Sequence, residues 1–228
     1  MKAESRSTNT EGNPKPESRK TLVCFAVKEE ARAFQKLVGA RVHLKVILVG
    51  MGKRNAERAI RAALAKERPE MVLTCGFAGG LSPDLAMGSV VFAADPESRL
   101  KPALLAVGAK PARFHCADRV AATAEQKRAL WEATGADAVE MESEVIRAVC
   151  LEESIPSATV RVILDTTEED LPLDFSRLMT ADEKMSYSKL ALALAKSPGK
   201  VGALVRLQKE ASAAAGKLAE VLARITET

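Results

Sequence analysis

Aromatic side chains are scarce in this sequence: its 228 residues include six Phe, one Tyr and one Trp. So few rings leave few stacking platforms for single-stranded nucleic acid. A dense basic block is also missing, because the formal charge of +4 is spread through Lys and Arg interleaved with Glu and Asp. Neutralising a phosphate backbone takes clustered cations, so nucleic acid is not an expected partner. Two histidines and four widely spaced cysteines, Cys24, Cys75, Cys116 and Cys150, form no CxxC pair. Each cysteine lies in or beside an apolar stretch, which predicts buried reduced thiols rather than a metal site or a disulfide frame. No apolar run approaches the roughly 20 residues that cross a bilayer, and the first residues are polar rather than signal-like. On these grounds the chain reads as cytoplasmic. Walker and GxGxxG loops are absent too, which counts against a nucleotide or redox enzyme of the doubly wound type.

What is present suits an enzyme-sized domain, with 47% hydrophobic residues in a chain long enough to bury a large core. Residues 1–20 are polar and aperiodic and read as a loosely attached or disordered tail. Residues 21–228 read as one domain whose C-terminal part, from about 171, is helical. Apolar runs and amphipathic stretches alternate: strand Thr21 to Val27, helix Glu29 to Val38, strand Val46 to Val49, helix Asn55 to Lys66. Strand Met71 to Cys75 follows, ending in a glycine turn from Gly76 to Gly80, then strand Ser89 to Ala93. The alternation implies a sheet with helices on its faces. Thr123 and Gln126 have the spacing of a capping box for a helix that Gly135 closes. The segment Ala138 to Ser143 is read as the start of a helix through Cys150, and Thr159 to Leu164 as a strand. In the last helix Leu207, Ala211, Ala214, Leu218, Val221 and Ile225 form one stripe, suited to packing on the sheet.

Three carboxylates stand where apolar runs end: Glu30 after the first strand, Glu142 within Ala138-Val139-Glu140-Met141-Glu142-Ser143, and Asp165 after Val160-Arg161-Val162-Ile163-Leu164. Acids at strand ends suit acid and base chemistry on a small molecule. Taken alone, each has a plainer account. Glu30 and Glu142 fit as acids in a helix first turn, favoured by the dipole, and Asp165 as a turn residue with Thr166 and Thr167. Gly50-x-Gly52-Lys53 and Gly76-x-x-Gly79-Gly80 likewise fit tight turns or backbone that approaches a ligand.

The collinear order of these pieces, with Gly76-Phe77-Ala78-Gly79-Gly80-Leu81 between them, resembles the nucleoside phosphorylase and nucleosidase superfamily. The likeness covers about Thr21 to Glu168 and is strongest to methylthioadenosine/S-adenosylhomocysteine nucleosidases and hopanoid-associated phosphorylases. It implies an α/β fold of three αβα layers around a central mixed, twisted sheet. It also implies cleavage of the N-ribosidic bond of a purine nucleoside, in a homodimer or larger homo-oligomer. Under that resemblance Asp165 assists departure of the base, Glu142 grips the ribose hydroxyls above Met141, and Glu30 activates water. The base would lie among Phe77, Ala78, Gly79, Val120 and Ala121. The family's aromatic cover falls on Val120 and Ala121, so the ring is absent or comes from Phe77 or Phe114. The central segment is also shorter than in the family's nucleosidases.

No cofactor is implied unless inorganic phosphate is a co-substrate. Related phosphorylases place an arginine near Glu30, whereas here Lys53, Arg54, Arg119 and Arg161 are the cations near ligand-facing loops, so water and phosphate both remain possible attackers. Likeness of the Leu171-to-Phe175 segment and tail to the hopanoid-associated branch implies a bulky apolar 5′ group, as in adenosylhopane. Leu171 to Val205 would then contact that group or a membrane surface. A rival reading is a non-catalytic nucleoside- or lipid-binding protein on the same scaffold.

Overall fold

The structure is a computed structural model and describes residues 19–173, 178, 180 and 198–227. Residues 1–18 of the expected tail, and most of the Leu171-to-Val205 segment, lie outside the described residues.

Apolar runs build the sheet. In β1 (Thr21–Phe25) Val23 and Phe25 join the core on one face while Leu22 and Cys24 join the core on the other. A strand buried on both sides is read as a continuous apolar run for this reason. Among the described residues, strands β2 (Leu44–Leu48), β3 (Met71–Gly80), β4 (Val90–Ala94), β5 (Lys110–Pro111), β6 (Phe114–Cys116), β7 (Ala138–Glu140) and β8 (Ser157–Asp165) complete a sheet of eight. The main order is β2-β1-β3-β8-β4-β5, with β7 attached to β3 and β6 to β7. Pairing is mixed: β1 runs parallel to β2 and β3, β3 parallel to β8, while β4 is antiparallel to β8 and β7 antiparallel to β3.

Helices cover both faces, giving the αβα layering that the sequence implied. On one side α1 (Lys28–Val38), α3 (Lys101–Ala106) and α6 (Val201–Thr226) pack over Val23, Phe25, Leu73, Val160 and Val162. On the other, α2 (Lys53–Leu64) and α5 (Ser143–Glu152) bury Ile60, Ile146 and Val149 against Leu22, Cys24 and Val72. Leu218 and Leu222 of α6 are fully buried; truncating either to Ala would cost about 2–5 kcal/mol. The stripe read from the sequence therefore packs on the sheet from Ala214 onward, and its earlier members Leu207 and Ala211 line a cavity instead. All four cysteines are free and buried.

Helix α4 (Ala124–Thr134) has the anticipated ends. Thr123 Oγ1 accepts from Gln126 N–H at 3.2 Å, Gln126 Oε1 accepts from Thr123 N–H at 3.3 Å, and Gly135 closes the helix at φ 60°.

Two expectations need correction. The Gly76-to-Gly80 segment is not a turn but the second half of β3, paired with β8 on one side and with Val139 and Ala138 of β7 on the other. Ala138 to Glu140 is a strand rather than a helix start, and α5 begins at Ser143. In both places the ladder to a distant strand decides the conformation, which local pattern does not contain.

Candidate active site

The strand ends define the site. β1 pairs with β3 only as far as Cys75, after which the chain turns into α1 and leaves the flank of Gly76 and Phe77 open. Glu30, in the first turn of α1, fills that gap. Its Oε1 accepts from Phe77 N–H at 2.8 Å, and its Oε2 from Ala26 and Val27 N–H at 3.0 and 3.2 Å. Gly76 makes room for it with φ 147°, since a Cβ there would sit 2.6 Å from Arg161 Nη1 and closer still to Glu30 Oε1. Burial pushes the Glu30 carboxyl up from its ordinary value, with Arg161 and the three N–H groups opposing.

Glu142 stands between β7 and α5. Its Oε1 accepts from Gly52 N–H at 2.9 Å, and its Oε2 lies 3.5 Å from Arg161 Nη2. Burial, with Glu140 nearby, lifts it to about 7 despite Arg161 and the Gly52 N–H. Glu140 behaves oppositely. It is held below its ordinary value against burial because Arg161 Nη2 lies 2.6 Å away and because Glu142 N–H, Ser143 N–H and Ser143 Oγ donate to it. One guanidinium thus serves three carboxylates, and only Glu140 takes the full ion pair. The other two are left short of positive charge, which makes them proton acceptors of raised basicity.

Asp165 closes β8. It is pushed up by burial and held down by an ion pair with Lys127 of α4. Lys127 is fully buried and also donates to the carbonyls of Thr166 and Glu169, at 2.8 and 2.7 Å.

Glu30, Glu142 and Asp165 share one cavity of about 550 Å³, within the roughly 300–1,000 Å³ of small-molecule sites. Met141, Phe77, Ala78, Gly79, Val120, Ala121 and Arg119 also line it. The cavity opens at the C-terminal ends of the parallel strands β1, β3 and β8, where α/β sheets bind ligands. Other residues stand elsewhere. Phe114 packs with Ala78, Leu85 and Val91 away from the cavity lining. Arg161 lies beneath the cavity, 1% exposed, and is committed to carboxylates. Lys53 is tied to Asp118 and Glu144 outside the lining, and Arg54 is not part of it. Among the four cations suggested for an anion, Arg119 alone lines the cavity.

Sequence reading missed Glu140, which looked like a neighbour of the functional acid, and Lys127, whose helix gives no sign of a buried cation. It also missed Met51 and the part of the α6 wall formed by Leu207, Gln208 and Ala211, whereas Leu171 and Leu204, which also line the cavity, fall in the Leu171-to-Val205 segment expected to contact an apolar group.

Fold and site together define a three-layer α/β protein with a carboxylate-edged, mostly apolar small-molecule cavity. Residues 100–196 match the model of the phosphorylase superfamily. The structure is similar to futalosine hydrolase of Helicobacter pylori, at 16% identity and TM-score 0.67 over 92% of this chain and 98% of that one. It is equally similar to the 5′-methylthioadenosine/S-adenosylhomocysteine nucleosidase of H. pylori, solved with a pyrrolidine inhibitor, at 16% identity and TM-score 0.67, covering 92% and 98%. The Campylobacter jejuni nucleosidase of the same name gives 16%, 0.67, 92% and 99%. The match to the phosphorylase superfamily covers residues 100–196, and the fold is the one these nucleosidases share.

Proposed function

We propose that the protein hydrolyses the N-ribosidic bond of a purine nucleoside carrying an apolar 5′ group, as in methylthioadenosine or adenosylhopane. The observation that carries this reading is the convergence of Glu30, Glu142 and Asp165 on one cavity. Cleavage through a sugar cation needs a carboxylate to hold the ribose hydroxyls and stabilise positive charge, a role that suits Glu142. It needs protonation of the departing base, for which Asp165 stands at the opposite strand end. It needs a base to take the proton of an attacking water, and Glu30 is raised by burial toward that use. Water is favoured over phosphate because Arg161 is already matched by carboxylates and Lys53 is paired outside the lining, which leaves Arg119 as the single suggested cation in the lining where a phosphate dianion would call for two. The wall of Met51, Leu171, Leu204, Leu207 and Ala211 supports an apolar 5′ substituent.

The test is release of free adenine from methylthioadenosine, adenosylhopane and adenosine, with and without phosphate. Release independent of phosphate is expected, and faster from the two apolar substrates than from adenosine. Asp165→Asn should lower turnover at least 100-fold with the fold intact, in line with a general acid's roughly 10²–10⁴-fold contribution. Ligand-induced thermal stabilisation without base release would instead show a binding protein and end the catalytic reading.

A further inference from the structure

The surroundings of Lys127 Nζ are unusual for a buried cation. It donates to the Thr166 and Glu169 carbonyls and forms an ion pair with the Asp165 carboxylate. Nearby acids are otherwise engaged, Glu169 by Thr166 N–H and Oγ1, and Asp170 by the Ala124 N–H that opens α4. Asp165 is therefore the counter-charge of Lys127, and Lys127 that of Asp165. Moving one proton from Nζ to Asp165 leaves an amine with two hydrogens for the two carbonyls and a lone pair facing the new acid. Both carbonyls keep a donor in either arrangement, and the Asp165 oxygen that faces Nζ, Oδ2, has no other hydrogen-bond partner.

We propose that Lys127 is a positioning residue that holds Asp165 and supplies the proton Asp165 passes to the departing base. This rests on the reading of the cavity as a nucleoside-cleaving site. The proton shifts from the Lys127 ammonium to the Asp165 carboxylate, giving amine and acid. The C1′–N9 bond then breaks with its electron pair staying on the base, and Asp165 gives the proton to purine N7. Water captures the ribosyl cation, Glu30 accepts the water's proton and releases it to solvent, and a solvent proton returns through Asp165 to the buried Lys127 amine once the base has left. The sequence consumes only substrate and water.

The experiment measures kcat and KM for adenine release, on folded protein, for the unsubstituted chain, Lys127→Met, Lys127→Arg, Asp165→Asn and the double variant. Arginine keeps the charge and gives up no proton. Lys127→Arg should therefore lose about 30-fold or more in kcat, and Lys127→Met about 100-fold, with KM within about threefold, as expected for a lost proton donor. The double variant should match Asp165→Asn within about threefold. If Lys127→Met alone folds poorly because Asp165 is left buried and unpaired, Lys127→Arg and the double variant carry the test. An unchanged kcat in Lys127→Arg overturns the inference. So does a further tenfold loss when Lys127→Met is added to Asp165→Asn, since that marks a purely structural role. A chain that releases no base from any nucleoside overturns the proposed function itself, a different outcome from either.

Discussion

Replacing Gly76 by alanine probes the floor of the site with one methyl group. The new Cβ meets the Glu30 carboxylate on one side and the Arg161 guanidinium on the other, at a φ of 147° that side-chain-bearing residues rarely adopt. Backbone strain contributes about 1–3 kcal/mol. Displacing Glu30 also removes its hydrogen bond from Phe77 N–H, worth about 1.5–3 kcal/mol for an ionised acceptor. A sum near 4 kcal/mol lowers Tm by roughly 8–16 °C in a chain of this size. Gly88→Ala is the control, because Gly88 has φ +74° with nothing within 4 Å of its added Cβ. It carries strain without collision, so its Tm should fall by less than half as much and adenine release should continue. Gly76→Ala should lose at least 100-fold in kcat as the water-activating carboxylate moves. Thermal melts and base-release assays on both variants decide the matter. Equal Tm losses, or full activity in Gly76→Ala, would refute the packing of Glu30 against Gly76 as the basis of its placement.

Glu142 titrates at about 7 in the fold and grips ribose hydroxyls only when ionised, so kcat/KM should rise with pH to a plateau above about 7; a flat profile from pH 5 to 8 would contradict this. The same shift acts on stability with a defined sign. The folded chain holds this proton between about pH 4.5 and 7 when the unfolded chain has lost it, so stability falls across that window, by about 3 kcal/mol from this group. Glu142→Gln should flatten that decline in denaturant titrations, and should narrow the preference for ribo- over 2′-deoxyribonucleosides. Arg161→Met leaves Glu140 buried without its partner and should cost about 3–5 kcal/mol in urea unfolding.

Much of the fold is readable in the chain because its strands are doubly buried and announce themselves as unbroken apolar runs, as Leu22 to Phe25 and Met71 to Leu73 do. The capping of α4 is legible for a local reason: Thr123, Gln126 and Gly135 act within a few residues of one another. Glu30, Glu142 and Asp165 stand out because each stands at or just past the end of a strand. What escapes is set by contacts between distant residues. Nothing near Gly76 in sequence says that a carboxylate 46 positions earlier occupies its missing side chain. Lys127 sits in a helix of mixed polarity, and its burial comes from the turn 165–169 folding over it. Glu140 and Glu142 are alike in sequence, and what separates the anchored acid from the basic one is their distances from Arg161, 2.6 and 3.5 Å, and the Glu142 and Ser143 donors that Glu140 alone receives.

Helix α6 joins two kinds of duty in one continuous rod. Its later turns, Ala214 to Ile225, are sunk in the core, while Leu204, Leu207, Gln208 and Ala211 face the cavity. Substitutions in those earlier turns can reshape what the cavity admits while the buried anchor below stays as it is. Selectivity can therefore drift along this helix without the molecule losing the footing that keeps its acids in register.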